Sequence, residues 1–155
     1  MPKYLPIVGI LIILGLVLYK LFLKNSSLET IGITIGGEKF DLEIAKNLSQ
    51  KSRGLSGRQK LCRNCGMIFI YSNEGTYPFW MKNTLIPLDM IWVNKNGVIT
   101  DIVTANPKPN IPMAKLTLYK NTSPARYIIE LNADRSKELG LKVNTKIWTN
   151  PPIFP

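Results

Sequence analysis

Histidine is absent from all 155 positions, which removes the side chain most used for proton transfer near neutral pH and the commonest metal ligand. Serine–histidine and cysteine–histidine nucleophilic mechanisms are excluded with it. Cysteine is scarce as well: Cys62 and Cys65 are the two in the chain, too few for a closed tetrahedral zinc site within one subunit. No metal, no other cofactor and no catalytic residue is indicated. Acids are also few, 10 against 20 Lys and Arg. No internal repeat is found.

What the chain does have begins with one greasy stretch. Residues 5–23, LPIVGILIILGLVLYKLFL, carry a single charge, Lys20, and as a helix rising ~1.5 Å per residue they would cover roughly 28 Å, close to the thickness of a bilayer core. No small-x-small cleavage site follows, so an uncleaved anchor is preferred to a signal peptide. The expected organisation is an N-terminal transmembrane anchor at 1–24, a polar linker at 25–29, one domain at 30–149 and a Pro-rich tail at 150–155. Lys3 and the terminal amine nearly balance Lys20 and Lys24, so charge leaves the orientation open. The Cys62/Cys65 pair points to the extracytoplasmic side, where a disulfide would persist. The alternatives for that pair are redox exchange, metal binding and reduced thiols, but a redox pair usually precedes a helix, whereas Cys65 precedes an apolar strand.

Within the domain, period-two alternation around Gly36-Gly37 predicts a two-residue-loop hairpin. Asn47 with Gln50 and Gly54 predicts a short helix over 48–53. Residues 67–71 read as a strand, and 88–94 with 98–104 flank Asn96-Gly97 as a second hairpin. The unbroken apolar run Met90-Ile91-Trp92-Val93 implies a central strand covered on both faces. Prolines between 105 and 112 mark a loop. Strand pattern returns at Leu116, Leu118 and 127–131, then a helix capped by Asn132 is expected to run through Leu139, and 142–148 is expected as a last strand. Trp92 and Trp148 read as core. The fold class expected is mainly β, an antiparallel sandwich or barrel-like domain with two short helices.

The central segment is the most informative: Gly54-Leu55, Gly66-Met67-Ile68-Phe69, then Phe79-Trp80-Met81-Lys82-Asn83-Thr84 and Pro87-Leu88-Asp89. With Asn96-Gly97 and the strand Tyr127-Ile128-Ile129-Glu130-Leu131, this pattern resembles the prokaryotic family called domain of unknown function 192, from about Ile31 to Trp148. The resemblance implies a mainly β, sandwich-like domain, often exported or membrane-tethered, with no established activity. Two turns depart from the family pattern. Asn132-Ala133-Asp134 stands where a glycine is usual, and Asn144-Thr145 where Gly-Asp is usual.

Three aromatics beside one polar turn suggest a ligand pocket built from Tyr77, Phe79, Trp80, Lys82, Asn83, Thr84 and Asp89. The competing reading is a turn whose Asn and Thr satisfy the backbone while Asp89 pairs with Lys82 or Arg53. Lys51, Arg53, Arg58, Lys60 and Arg63 fall in a stretch without any acid and form a candidate basic face, either a recognition surface or a solvated one. Glu130 reads as the outward member of an alternating strand or as a buried partner for Arg53 or Arg126. Asn25, Asn47 and Asn121 head Asn-x-Ser sequons, of which Asn47 is better explained as a cap.

The leading expectation is thus a non-catalytic binding module. Its partners would be the membrane, through the anchor, and an envelope polymer, sugar or anionic headgroup. Nucleic acid is not expected, and no protein partner is legible. The alternatives are an envelope hydrolase using Asp89 with Lys82, and a structural module docking on another membrane protein.

Overall fold

The computed structural model describes residues 9, 12–16, 28–108 and 110–147. Most of the expected anchor, the tail, most of the linker, and Trp148 lie outside them. Residues 12–16 are helical, and no helix among the described residues is long and apolar enough to cross a membrane.

One six-stranded sheet organises the domain. Its strands are β1 (Thr30–Ile35), β2 (Glu38–Ala45), β3 (Cys65–Gly75), β4 (Leu88–Val93), β5 (Ile99–Ala105) and β6 (Ala125–Asn132), arranged β1-β2-β3-β6-β4-β5. The short helices α1 (Leu48–Arg53) and α2 (Arg135–Glu138) and a 3-10 turn at Met113–Lys115 complete it. The Gly36-Gly37 hairpin forms as expected, both glycines at positive φ of 57 and 85, as a two-residue turn requires. Asn94 braces the second hairpin, its Oδ1 accepting from the amides of Asn96 and Val98 while Gly97 turns at φ 77.

The sheet is mixed, not antiparallel, because β2 and β3 pair in parallel. Parallel neighbours need a crossover of a dozen residues or more, and residues 46–64, with α1 inside them, make it. Among the described residues there is no second sheet. One face packs Ile33, Phe40, Leu42, Ile68, Ile91, Ile129 and others drawn from every strand. The opposite face is closed by connecting segments, with Leu55, Phe79 and Met81 packed on Met67, Phe69, Met90 and Trp92. The covering role expected of a second sheet is filled by loops, whose irregular backbone leaves room for a hollow.

Three expected elements differ. β6 continues to Asn132, whose amide donates to the Cys62 carbonyl at 2.8 Å, so Asn132 is not free to cap. The last helix is one turn long and starts after Asp134, at φ 68. The expected strand at 142–148 reduces to a bridge between Val98 and Lys146, and the one near 116–118 to a bridge between Phe79 and Tyr119. In the first of these Asn144, at φ 68 in the left-handed region, interrupts the extended run.

Two close fits hold this frame. Arg135 is buried and forks to Glu38 at 2.6 Å, Asn64 at 3.0 Å and Glu138, with Phe40 beneath its guanidinium at 5.3 Å. Gly66 sits where β2, β3 and β6 meet, and a Cβ there would lie 2.4 Å from the Glu130 carbonyl oxygen and 2.7 Å from Leu42. Because the obstacle is backbone, relaxation requires the strands to part. Gly66→Ala is expected to destabilise the domain by about 3 kcal/mol or more, read as a lowered denaturant midpoint; a shift under ~1 kcal/mol would refute the packing described.

Candidate functional site

The site grows from two pieces of chain laid over one face of the sheet. The first is α1, set by the capping box the sequence announces: Asn47 Oδ1 accepts from the Gln50 amide at 2.9 Å, and Gln50 Oε1 accepts from the Asn47 amide at 3.1 Å. Gly54 ends it at φ 49, ψ −136, a conformation that few residues other than glycine adopt. The second piece is residues 78–84, where alternation sends Phe79 and Met81 inward and leaves Trp80 and Lys82 outward. Phe79 is locked by a two-way backbone bridge to Tyr119 and by edge contacts to Phe69 at 4.7 Å and Trp92 at 6.0 Å. Asn83 turns the chain at φ 54, and its carbonyl accepts from the Gly57 amide at 2.8 Å, tying the two pieces together.

Between them lies a cavity of about 210 Å³. Phe69, Tyr71, Phe79 and Trp80 give it aromatic walls, Lys51, Arg53 and Lys82 supply cations, and Glu130 lies at the sheet. A second hollow, of about 290 Å³, shares Ser52, Trp80 and Lys82 with the first and is lined further by Asn83 and Met113. Trp80, 40% exposed, stands at the junction. Tyr71 is already engaged, stacked on Tyr77 at 3.6 Å and capped by Lys51 at 4.0 Å. None of Lys51, Arg53 and Lys82 forms an ion pair among the described residues.

Glu130 gives the cavity its electrostatic character. In the sheet register it lies between Met67 of β3 and Met90 of β4, so its side chain rises from the face carrying Phe69 and the cavity. It is 4% exposed, and its Oε2 is buried without a hydrogen-bond partner. Neither Arg53 nor Arg126 reaches it; Arg126 donates instead to the Tyr71 carbonyl. Burial pushes its carboxyl up to about 8, so it holds its proton at neutral pH. Burial also raises the Tyr71 phenol to about 12, with Tyr77 and Glu130 adding to the effect, and lowers Lys51 from its usual value.

The structure thus brings Phe79, Trp80, Lys82 and Thr84 into one cavity with Lys51 and Arg53, and sets Asn83 in the adjoining hollow. Tyr77 stands behind the wall rather than in it, its amide donating to Asn121 and its hydroxyl to the Asn73 carbonyl. Asp89 is placed apart. It pairs in register with Leu131, whose side chain belongs to the other face of the sheet, and its buried carboxylate accepts from the Ser136 amide and hydroxyl at 2.8 and 2.6 Å and from the Thr104 hydroxyl at 2.7 Å. The sheet therefore separates Asp89 from Lys82. Of the remaining basic residues, Arg58 pairs with Glu43 at 2.5 Å and Arg63 with Glu138 at 2.9 Å, acids distant in sequence; Lys60 lines neither hollow. Cys62 and Cys65 are joined as a disulfide at the start of β3. Among the described residues no cluster of three or more Cys, Asp or Glu could hold a metal ion.

Glu130 is the member that alternation misplaced. Ile128, two residues earlier and on the same face, was the available signal, because an apolar neighbour at that spacing marks the face as covered.

Two outcomes test this geometry. The folded carboxyl of Glu130 titrates near 8 and an unfolded one near 4.5, so the folded state holds one more proton between those values and stability falls as pH rises through that window. Glu130→Gln removes this loss. Its stability relative to wild type should climb by about 1.4 kcal/mol per pH unit across the window and level off above it, measured by denaturant unfolding; parallel pH profiles would refute the assignment. Asp89→Asn, which turns an amide donor toward donors, should cost about 2–3 kcal/mol in the same measurement; a cost under ~1 kcal/mol would refute the structural role of its three hydrogen bonds.

No curated protein matches the chain. A solved structure from Sinorhizobium meliloti 1021, provisionally described as a transcription regulator, is similar at 28% identity and a TM-score of 0.69, covering 81% of this chain and 98% of that one. A protein of unknown function from Novosphingobium aromaticivorans DSM 12444 is similar at 29% identity and a TM-score of 0.68, covering 79% and 86%. The profile of domain of unknown function 192, an uncharacterized ACR family, matches residues 31–149, so that a six-stranded mixed sheet, a disulfide at its third strand and the Trp80 turn together belong to a member of the DUF192 family.

Proposed function

We propose that the chain is a non-catalytic binding module, tethered by its N-terminal segment and working outside the cytoplasm, that holds an anionic or sugar-containing envelope component at the Trp80 cavity. One observation carries this reading: three cations without acidic partners, Lys51, Arg53 and Lys82, ring a hollow with aromatic walls. Unpaired positive charge around apolar rings favours a ligand offering both negative charge and a flat apolar face. Trp80 is the ring open to such a face. The disulfide supports an oxidising compartment, and the apolar residues 5–23 support the tether.

The test is titration of the full chain, in detergent or nanodiscs, with anionic envelope polysaccharide and its neutral counterpart. The anionic polymer should bind more tightly, weaken as salt rises, and lose about tenfold in affinity on Trp80→Ala, since stacking on one aromatic ring is worth ~1–3 kcal/mol. Binding that ignores both salt and Trp80 would refute the proposal.

A further inference from the structure

A group of the cavity not used by charge recognition is the Glu130 carboxyl. An unpartnered buried oxygen costs free energy comparable to a lost hydrogen bond, and a strand position between Met67 and Met90 would ordinarily hold an apolar residue. Nothing above it relieves the cost. Gly54 lies over it, and a side chain there would place its Cβ 3.8 Å from Glu130 Oε2 and 3.4 Å from Phe69. Glycine at that turn puts no side-chain atom against the carboxyl, which lies in the lining of the cavity. The geometry points to a deeper specificity for the same cavity, resting on the reading above: the occupant is a single acidic sugar unit whose ring oxygen or hydroxyl accepts the hydrogen of the Glu130 carboxyl while its anionic group meets Lys51, Arg53 and Lys82.

Size and chemistry agree on this class. At ~30 Å³ per water molecule, a cavity of about 210 Å³ displaces roughly seven waters, room for one sugar ring and not for an enclosed polymer segment. A polymer would offer one unit, with the adjoining hollow beyond Trp80 available to the next. A protonated carboxyl donates, so it selects an acceptor, whereas an ionised one in the same place would repel the ligand's negative charge. The occupant is therefore held while Glu130 keeps its proton and released when it ionises.

The groups facing Glu130 are few. Lys51 and Arg53 come from α1, Tyr71 from β3 and Lys82 from the 78–84 segment; β4 presents Met90. Glu43 of β2 lies one strand beyond Met67 in the same row and is engaged by Arg58. Lys51, lowered from its usual value by burial, is the competing source of a pH effect, and a Glu130 variant separates the two.

The probes are glucuronate, glucose 6-phosphate and glucose, titrated calorimetrically into the full chain from pH 6.5 to 9.5. Both acidic sugars should bind and glucose should bind at least tenfold more weakly; binding by one of the two acids alone would identify carboxylate or phosphate as the preferred charge and uphold the class. Affinity should fall toward tenfold per pH unit above about 8, where burial places the Glu130 ionisation. Glu130→Gln, still a donor but never charged, should bind without that fall, and Glu130→Met should lose at least tenfold below pH 8 and show no further fall above it. A pH fall that persists in Glu130→Gln, or wild-type affinity in Glu130→Met below pH 8, overturns the role of Glu130. Should neither acidic sugar bind while the polysaccharide still binds through Trp80, this inference fails and the binding-module reading survives; loss of both would remove the reading beneath it.

Discussion

The structure depends on a central strand with no outward face. β6 runs between β3 and β4, and from Tyr127 to Leu131 every residue is buried. In such a strand each side chain must find apolar surroundings or a hydrogen-bond partner on one face or the other. Ile128 and Ile129 meet that demand on opposite faces. Glu130 meets it only by giving up its charge, and the free energy of that concession is stored where a cavity reaches the sheet. The covering segments could have filled this space, as Leu55, Phe79 and Met81 do a few ångströms away. Instead α1 ends in a glycine above the carboxyl, so local backbone conformation and an unsatisfied polar atom coincide at one spot.

Much of this frame is legible before any coordinates. Turn chemistry sets both hairpins, since Gly36, Gly37 and Gly97 adopt the positive φ that most residues cannot, and the Asn47/Gln50 pair fixes α1 to the residue. The apolar run in β4 states its burial on two faces. Less legible is what pairs with what across the crossover. The parallel β2–β3 pairing depends on residues 46–64 returning over the sheet, a long-range outcome that no local pattern encodes. The same holds for charge: the stretch from Lys51 to Arg63 contains no acid, yet Glu43 and Glu138 come from elsewhere to pair with Arg58 and Arg63. Basic character at the cavity is what remains after those pairings.

The two turns that depart from the family's glycine pattern are instructive about substitution. Asp134 and Asn144 both sit at φ 68, the left-handed region that glycine enters freely and that Asn and Asp tolerate better than other residues. Asn and Asp stand here within the small set of residues that permits this shape. Asn121 shows the opposite economy, where a sequon asparagine is committed to the fold: its side chain accepts from the Tyr77 amide and donates to the carbonyls of Gly75 and Ser123. That hub holds Tyr77 against Tyr71, and so holds one wall of the cavity from behind.

Asp89 and Glu130 show how a sheet assigns roles to chemically similar groups. Their strands are neighbours, but the register places one carboxyl on each face. Asp89 meets two hydroxyls and a helix-start amide, three donors that tie β4 to Thr104 of β5 and to α2. Glu130 meets methionines and aromatic edges, which favour the neutral acid. A mechanism needing paired carboxylates, as glycoside hydrolysis generally does, would require both on one side of the sheet. With a strand's thickness between them, Asp89 serves the fold, and Glu130 is the carboxyl that faces the cavity with a proton to donate.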